Sequence, residues 1–311
     1  MVKIVCVSHS PLMEYNPPAG TVKTEVLETF AGLAKDIEAY DPELIILFAP
    51  DHYNGMFYDM MPSFCVGIRA TACGDWNSGT GDLSVPEDVA MQLLLAIRAE
   101  GIDAAVSYRL VADHGFTQPM MLLTGSLQKY PVIPIFINAA APPLPSGERA
   151  RALGEAVGHF VSKLSRRILI IASGGLSHDP PFPKMDSAPL EVQARLIDGR
   201  NPSAEAWKAR IERVILTANQ LKEGTGPCRP LNEAWDRQLL DSFASGDIGR
   251  VAALDEAGIA SEAGVGGQEI RTWLAAFSAL QTQGKYRTDL HYYRPVPEWN
   301  AGMAMMTAQP E

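Results

Sequence analysis

Through the first 175 residues, short apolar runs alternate with stretches whose apolar positions recur at helical spacing. The runs Val2–Val7, Glu43–Phe48, Ser63–Arg69, Ala104–Tyr108, Val132–Asn138 and Arg167–Ala172 are predicted strands. Between them, Thr21–Tyr40, Pro86–Glu100, Gln118–Leu127 and Gly147–Leu164 are predicted helices. The second of these opens on Pro86 and sets Glu87 and Asp88 beside the positive end of its dipole. This alternation predicts an α/β fold, a central mostly parallel sheet covered by helices on both faces. From Pro189 onward the periodicity is almost wholly helical: Leu190–Leu196, Ala204–Lys222, Glu233–Ser245, Ile248–Ala257 and Gln268–Leu280. An aromatic, Arg-containing tail from Tyr286 to Trp299 has the makeup of an edge strand. With no internal repeat and no low-complexity linker, the expectation is one domain over 1–311, strand-rich to 185 and with a helical C-terminal portion from 186.

Charge narrows the choice of partner. The 311 residues carry 26 Lys+Arg against 36 Asp+Glu, a net charge of −10 that repels phosphate backbones, so no nucleic-acid partner is expected. Hydrophobic residues at 47% and charged residues at 20% fit a globular chain. The uncharged stretch Tyr130–Gly147 contains Pro131, Pro134, Pro142, Pro143 and Pro145, too many missing donors for a membrane helix. Ile4–Val7 is too brief for a signal-peptide core. Cys6, Cys65, Cys73 and Cys228 form no C-x-x-C pair, so free thiols in a reducing cytoplasm are expected, without cysteine-bound zinc.

Of six histidines, four stand just beyond a predicted strand: His9, His52, His114 and His178. Ligands of open parallel sheets bind at the carboxyl ends of the strands, so these four imidazoles are expected to converge on one rim. Each has a short polar neighbour, as in Ser8-His9-Ser10, Asp51-His52, Asp113-His114 and Ser177-His178-Asp179, that could fix its tautomer from the outer shell. His159, inside a predicted helix, and His291, in the tail, read as structural. A histidine cluster of this kind is open to three readings: a zinc hydrolase, a non-haem iron oxygenase, or an acid/base site without metal. A facial triad on iron needs one carboxylate from another element. Glu269 is the candidate, at the start of a helix after Gly264-Val265-Gly266-Gly267, although a negative charge there also suits the helix dipole. Gly174-Gly175 lets backbone approach a site closely. The absence of G-x-G-x-x-G, a P-loop and G-x-S-x-G argues against dinucleotide, nucleotide and serine-hydrolase chemistry.

Five spaced runs carry a more specific signal: Ser8-His9-Ser10-Pro11, Leu47 to Gly55 with Asp51-His52-Tyr53, Asp113-His114-Gly115-Phe116, Ser173 to His178, and Tyr292 to Trp299. In these, over nearly its whole length, the chain resembles the class III extradiol catechol dioxygenases, the group that includes protocatechuate 4,5-dioxygenase β-subunits. Asp179 departs from the glutamine that the pattern carries there. The resemblance implies an Fe(II) cofactor held by His9, His52 and Glu269, the last within Gly267-Gln268-Glu269-Ile270-Arg271-Thr272-Trp273-Leu274. It implies His178 and His114 as the acid/base pair, His178 taking a phenolic proton and His114 returning one during ring opening. Its nearest likeness points to meta cleavage by O2 of a catechol with a three-carbon carboxylate side chain, and to a homo-oligomer. Arg294, Arg271 and Arg109 are the cations suggested for that carboxylate. Rival readings are another extradiol dioxygenase with a protocatechuate-like substrate, a metal-free binding protein on the same fold, and a zinc metallohydrolase.

Overall fold

The computed structural model describes residues 1–311. β1 (Val2–Val7) leads through a 3-10 turn to α1 (Val22–Tyr40) and β2 (Leu44–Ala49). Next come β3 (Phe64–Gly67), β4 (Ala70–Cys73), β5 (Thr80–Asp82), α2 (Glu87–Ala99), β6 (Ala105–Ser107), β7 (Leu110–Ala112) and α3 (His114–Thr124). β8 (Val132–Ile137), α4 (Gly147–Ser162) and β9 (Ile168–Ser173) complete the α/β part. The helices α5 (Leu190–Asp198), α6 (Ala204–Lys222), α7 (Glu233–Ser245), α8 (Ile248–Ala252), α9 (Glu256–Ala263) and α10 (Ile270–Gln281) follow, then the hairpin β10 (Tyr286–Val296) and β11 (Ala301–Pro310).

An eight-stranded sheet runs in the order β10-β11-β1-β9-β2-β8-β3-β6, with a separate three-stranded sheet β5-β4-β7. Its centre, β1-β9-β2-β8, is parallel, as expected, while β11 joins β1 and β3 joins β8 antiparallel. The central strands are buried on both faces, and their period of two splits the core. Leu44, Ile46 and Phe48 pack with Leu153 of α4 and with Trp273 and Phe277 of α10. Ile45, Leu47 and Ala49 pack with Val26 and Phe30 of α1 and Leu123 of α3 on the other side.

Several boundaries differ from the expectation, each for a local reason. The strand expected over Ser63–Arg69 ends at Gly67, where an added Cβ would meet the Pro134 ring at 2.9 Å, and the chain crosses into the small sheet. The helix expected from Gln118 starts at His114, because Asp113 caps it by accepting from Gly115 N at 2.9 Å. Ile248–Ala257 breaks in two where Asp255 caps α9 through Gly258 N at 2.6 Å. The tail forms a hairpin: β10 takes the edge and the Ala/Met-rich β11 the buried place beside β1. Ala is a poor strand former, so pattern alone misses β11.

Helix α10 is buried along its length from Ile270 to Leu280, including Arg271. It can lie so deep because α4 offers glycines: a Cβ at Gly154 would sit 2.1 Å from Ala275 O, and one at Gly158 2.5 Å from Ala279 O. That close packing delivers Glu269 to the carboxyl ends of the parallel strands. No helix is long and apolar enough to cross a membrane.

Candidate active site

His9, His52 and His178 leave the carboxyl ends of β1, β2 and β9, as the strand pattern predicts. His114 arrives differently, as the first residue of α3 after β7 of the small sheet. The rings nonetheless converge: His9 lies 5.2 Å from His52 and 5.4 Å from His114, and His52 stacks on His114 at 4.2 Å. Nitrogens of His9, His52 and His114 fall within 4.8 Å of one another. The four rings face a cavity of about 480 Å³ that Phe182 and Trp207 also line.

Glu269, at the N-cap of α10, ties this group together. Its Oε1 accepts from His52 Nε2 at 3.1 Å and from His178 Nε2 at 3.2 Å, and its Oε2 accepts from Gly175 N at 3.0 Å. Glycine is required opposite it, since a Cβ at Gly174 would lie 2.8 Å from both Glu269 Cβ and Oε2. Trp273 Nε1, one turn on, donates to Gly174 O at 2.9 Å and fixes α10 against this loop.

Each imidazole is held at Nδ1, and in His52 and His178 this turns Nε2 toward Glu269. His9 Nδ1 meets Ser173 Oγ at 2.9 Å, His52 Nδ1 donates to Asp113 Oδ2 at 2.9 Å, and His114 Nδ1 donates to Asp75 Oδ2 at 2.5 Å. His178 Nδ1 donates to Leu176 O at 3.0 Å. None of these partners is the sequence neighbour expected to serve. Ser8 and Ser10 bond Gly302 O and Trp299 O, Asp51 caps the backbone of Asn54, Gly55 and Met56, and Asp179 accepts from the Arg229 and Val265 amides. Asp113 serves His52 instead of the adjacent His114, because consecutive side chains point apart.

Asp75 and Arg210 carry no sequence signal, and Ser173 and Asn54 lie within the motif runs but without a role legible there, as only folding brings them to the histidines. Asn54 Nδ2 donates to Asp113 Oδ2 at 3.0 Å and Asp75 Oδ2 at 3.2 Å, linking the two tethering carboxylates. Arg210 of α6 donates to His52 O at 2.7 Å and Asn54 Oδ1 at 3.1 Å. The three arginines suggested from sequence are placed elsewhere. Arg294 pairs with Glu25, Arg271 donates to Pro145 O and Gln268, and Arg109 lines a different cavity. His159 and His291 stay at the surface with Glu100 and Thr307.

The electrostatics suit a cation site. Burial pushes His9 down to about 3, so it stays neutral. Burial also opposes charge on His52 and His178, but carboxylates outweigh it, Asp113 and then Glu269 at His52 and Glu269 at His178, and both pKa values rise. Burial favours protonation of Glu269, yet His178 and His52 hold its carboxyl well below the usual range. Buried imidazole nitrogens and one ionised carboxylate oxygen form a donor set that fits a divalent transition metal.

The model of the catalytic LigB subunit of aromatic ring-opening dioxygenase matches residues 3–304. A relative from Photorhabdus laumondii subsp. laumondii, named 2,3-dihydroxyphenylpropionate/2,3-dihydroxicinnamic acid 1,2-dioxygenase, is 54% identical over 309 residues, covering 99% of this chain and 98% of its own. Proteins of the same name are 48% identical in Paraburkholderia phymatum, over 99% of this chain and 97% of theirs, and 45% identical in Escherichia coli O139:H28, over 98% of each. The crystal structure of the uncharacterized protein JW3007 from Escherichia coli K12 shares the fold at a TM-score of 0.50 and 11% identity, covering 99% of this chain and 100% of that one. A full-length match of this kind, on a chain whose buried histidines and glutamate meet at the strand ends, makes the protein a member of the LigB family of aromatic ring-opening dioxygenases.

Proposed function

We propose that the protein opens the ring of 3-(2,3-dihydroxyphenyl)propionate, and of its propenoate counterpart, with O2, using ferrous iron held by His9, His52 and Glu269. The observation that carries the ligand assignment is the hydrogen bond between Glu269 Oε1 and His52 Nε2 at 3.1 Å, which joins a buried carboxylate to an imidazole whose ring lies 5.2 Å from that of His9. Three protein donors on one face leave room for both catechol oxygens and for O2. When bound, iron supplies the coordination positions and the electronic link through which catechol and O2 react. The substrate follows the names of the full-length relatives.

The remaining steps belong to side chains. With Glu269 committed to the metal, His178 would be neutral, its Nδ1 held by Leu176 O, and its Nε2 is then the group that takes a proton from a catechol hydroxyl. His114, anchored by Asp75, gives a proton to the oxygen that departs as the ring opens between the side-chain-bearing carbon and the adjacent hydroxylated carbon. Both oxygen atoms enter the product, a 2-hydroxy-6-oxononadienedioate. Phe182 and Trp207 present apolar surface that keeps bulk water from the reacting atoms.

Aerobic incubation of the iron-loaded protein with a panel of catechols tests this reading. The expected result is a yellow ring-opened product, with the largest kcat/KM for the propionate and propenoate catechols. Activity is expected to fade in air, to return with ferrous iron and ascorbate, and to be absent from zinc-loaded protein. Faster turnover of protocatechuate would overturn the substrate, and no ring opening with any catechol would overturn the whole reading. His178→Ala and His114→Ala should each keep iron and lose roughly 10²–10⁴-fold in kcat. The His178→Ala defect should shrink as pH rises and substrate ionises unaided.

A further inference from the structure

Three cations line the histidine cavity, all from the helices that cover it: Arg195 of α5 and Arg210 and Arg213 of α6. They are not equivalent. Arg195 is spent on Glu191, one turn back, at 3.1 Å. Arg210 is committed to His52 O and Asn54 Oδ1. Arg213 makes no side-chain hydrogen bond and no ion pair; only its backbone carbonyl is used, by Thr217. Arg210 and Arg213 stand three residues apart, hence on one face of α6. A guanidinium with no protein partner, one turn from a second cation, at the wall of a cavity that also presents aromatic and aliphatic side chains, is a place made for an anion.

The same cavity is lined by the four histidines, with Glu269 bonded to His52 and His178, which is the part suited to the catechol hydroxyls. A catechol with an acidic tail therefore has one favourable orientation, hydroxyls toward the histidines and tail toward α6. We propose that Arg213 binds the side-chain carboxylate of the substrate and thereby selects acidic catechols. This rests on the ring-opening reading above and adds the residue that sets its specificity. Arg210 is a positioning residue, which holds the backbone of His52 and adds to the positive field.

The test compares 3-(2,3-dihydroxyphenyl)propionate with uncharged 3-ethylcatechol, which has the same ring and no carboxylate. Wild-type protein is expected to favour the acid in kcat/KM. In Arg213→Gln that preference should fall roughly 10- to 100-fold, mostly through KM for the acid, as loss of a charge-assisted bidentate contact implies. Arg213→Lys should be intermediate, keeping charge and losing the fork. Arg213→Glu should turn the preference toward 3-(2-aminoethyl)catechol. Metal content and circular dichroism, measured alongside, confirm that each variant is folded and loaded. An acid-to-neutral ratio in Arg213→Gln and Arg213→Glu equal to that of wild type would overturn the assignment. Wild-type protein that showed no preference for the acid would instead overturn the proposed substrate, so the two failures are distinguishable.

Discussion

A single oxygen, Glu269 Oε1, accepts from two imidazoles, and the proton balance at that point governs how metal enters. His52 is held protonated above the ordinary imidazole range by Asp113 and Glu269, while His9 is neutral and Glu269 is ionised. A metal ion taking His52 as a ligand must displace its proton. Apparent iron affinity should therefore rise with pH, up to about tenfold per unit, wherever pH lies below the His52 value, and level off above it. Calorimetry in buffers of different ionisation enthalpy should register about one proton released. An affinity independent of pH would remove His52 from the ligand set. His9→Ala, His52→Ala and Glu269→Ala should each lose stoichiometric iron while staying folded; full iron in Glu269→Ala would transfer the third place to His114. The histidines were legible in the sequence because each follows an apolar strand run, or, for His114, closely follows one. Their anchors were not. Asp51-His52 and Asp113-His114 look like pairs, yet Asp113 reaches across to His52 and Asp75 comes from 39 residues away to hold His114.

Among elements, the glycine run before α10 matters as much as the helix it introduces. A Cβ at Gly266 would lie 2.2 Å from His178 Nε2, so Gly266→Ala must rotate that ring away from Glu269 or push the 3-10 turn back. The expected outcome is a fall in kcat with iron content unchanged, read by steady-state kinetics beside metal analysis. An unaltered kcat would mean that the ring position is not limiting. Helices with a full amphipathic stripe, such as α6 and α7, were readable to their ends, because a long period of 3.6 leaves little choice of boundary. α3 was not, since its first turn, His114-Gly115-Phe116-Thr117, shows no apolar periodicity and begins at a cap that only the tertiary fold reveals. The role of α6 was equally hidden: its period announces a helix, and its position over the cavity is a fact of packing.

At the scale of the molecule, the parallel centre of the sheet followed from the alternation of strands and helices, but the order of its outer strands did not. β11 covers the outer edge of β1, pairing Ile4 with Ala308 and Val7 with Met305. Its side chains Met303 to Met306 fill both cores. Deletion of residues 286–311 should therefore expose a long apolar strand edge and give aggregated protein, measured as loss of the soluble fraction on sedimentation. A soluble, monodisperse truncation would show that β1 is stable with one neighbour.

The same arrangement sets a timetable for the nascent chain. The residues proposed to hold iron lie at positions 9, 52 and 269, and the strand that carries the first of them pairs with one far along the chain, Ile4 with Ala308 and Val7 with Met305. Such non-local pairings form late, after loop closure over almost the entire sequence. No partial product of translation can assemble the three ligands before Glu269 has emerged, and none has β1 in its final sheet before Ala308 has. Metal binding through these three residues would thus be a late event of folding, after the chain has closed the loop from β1 to α10.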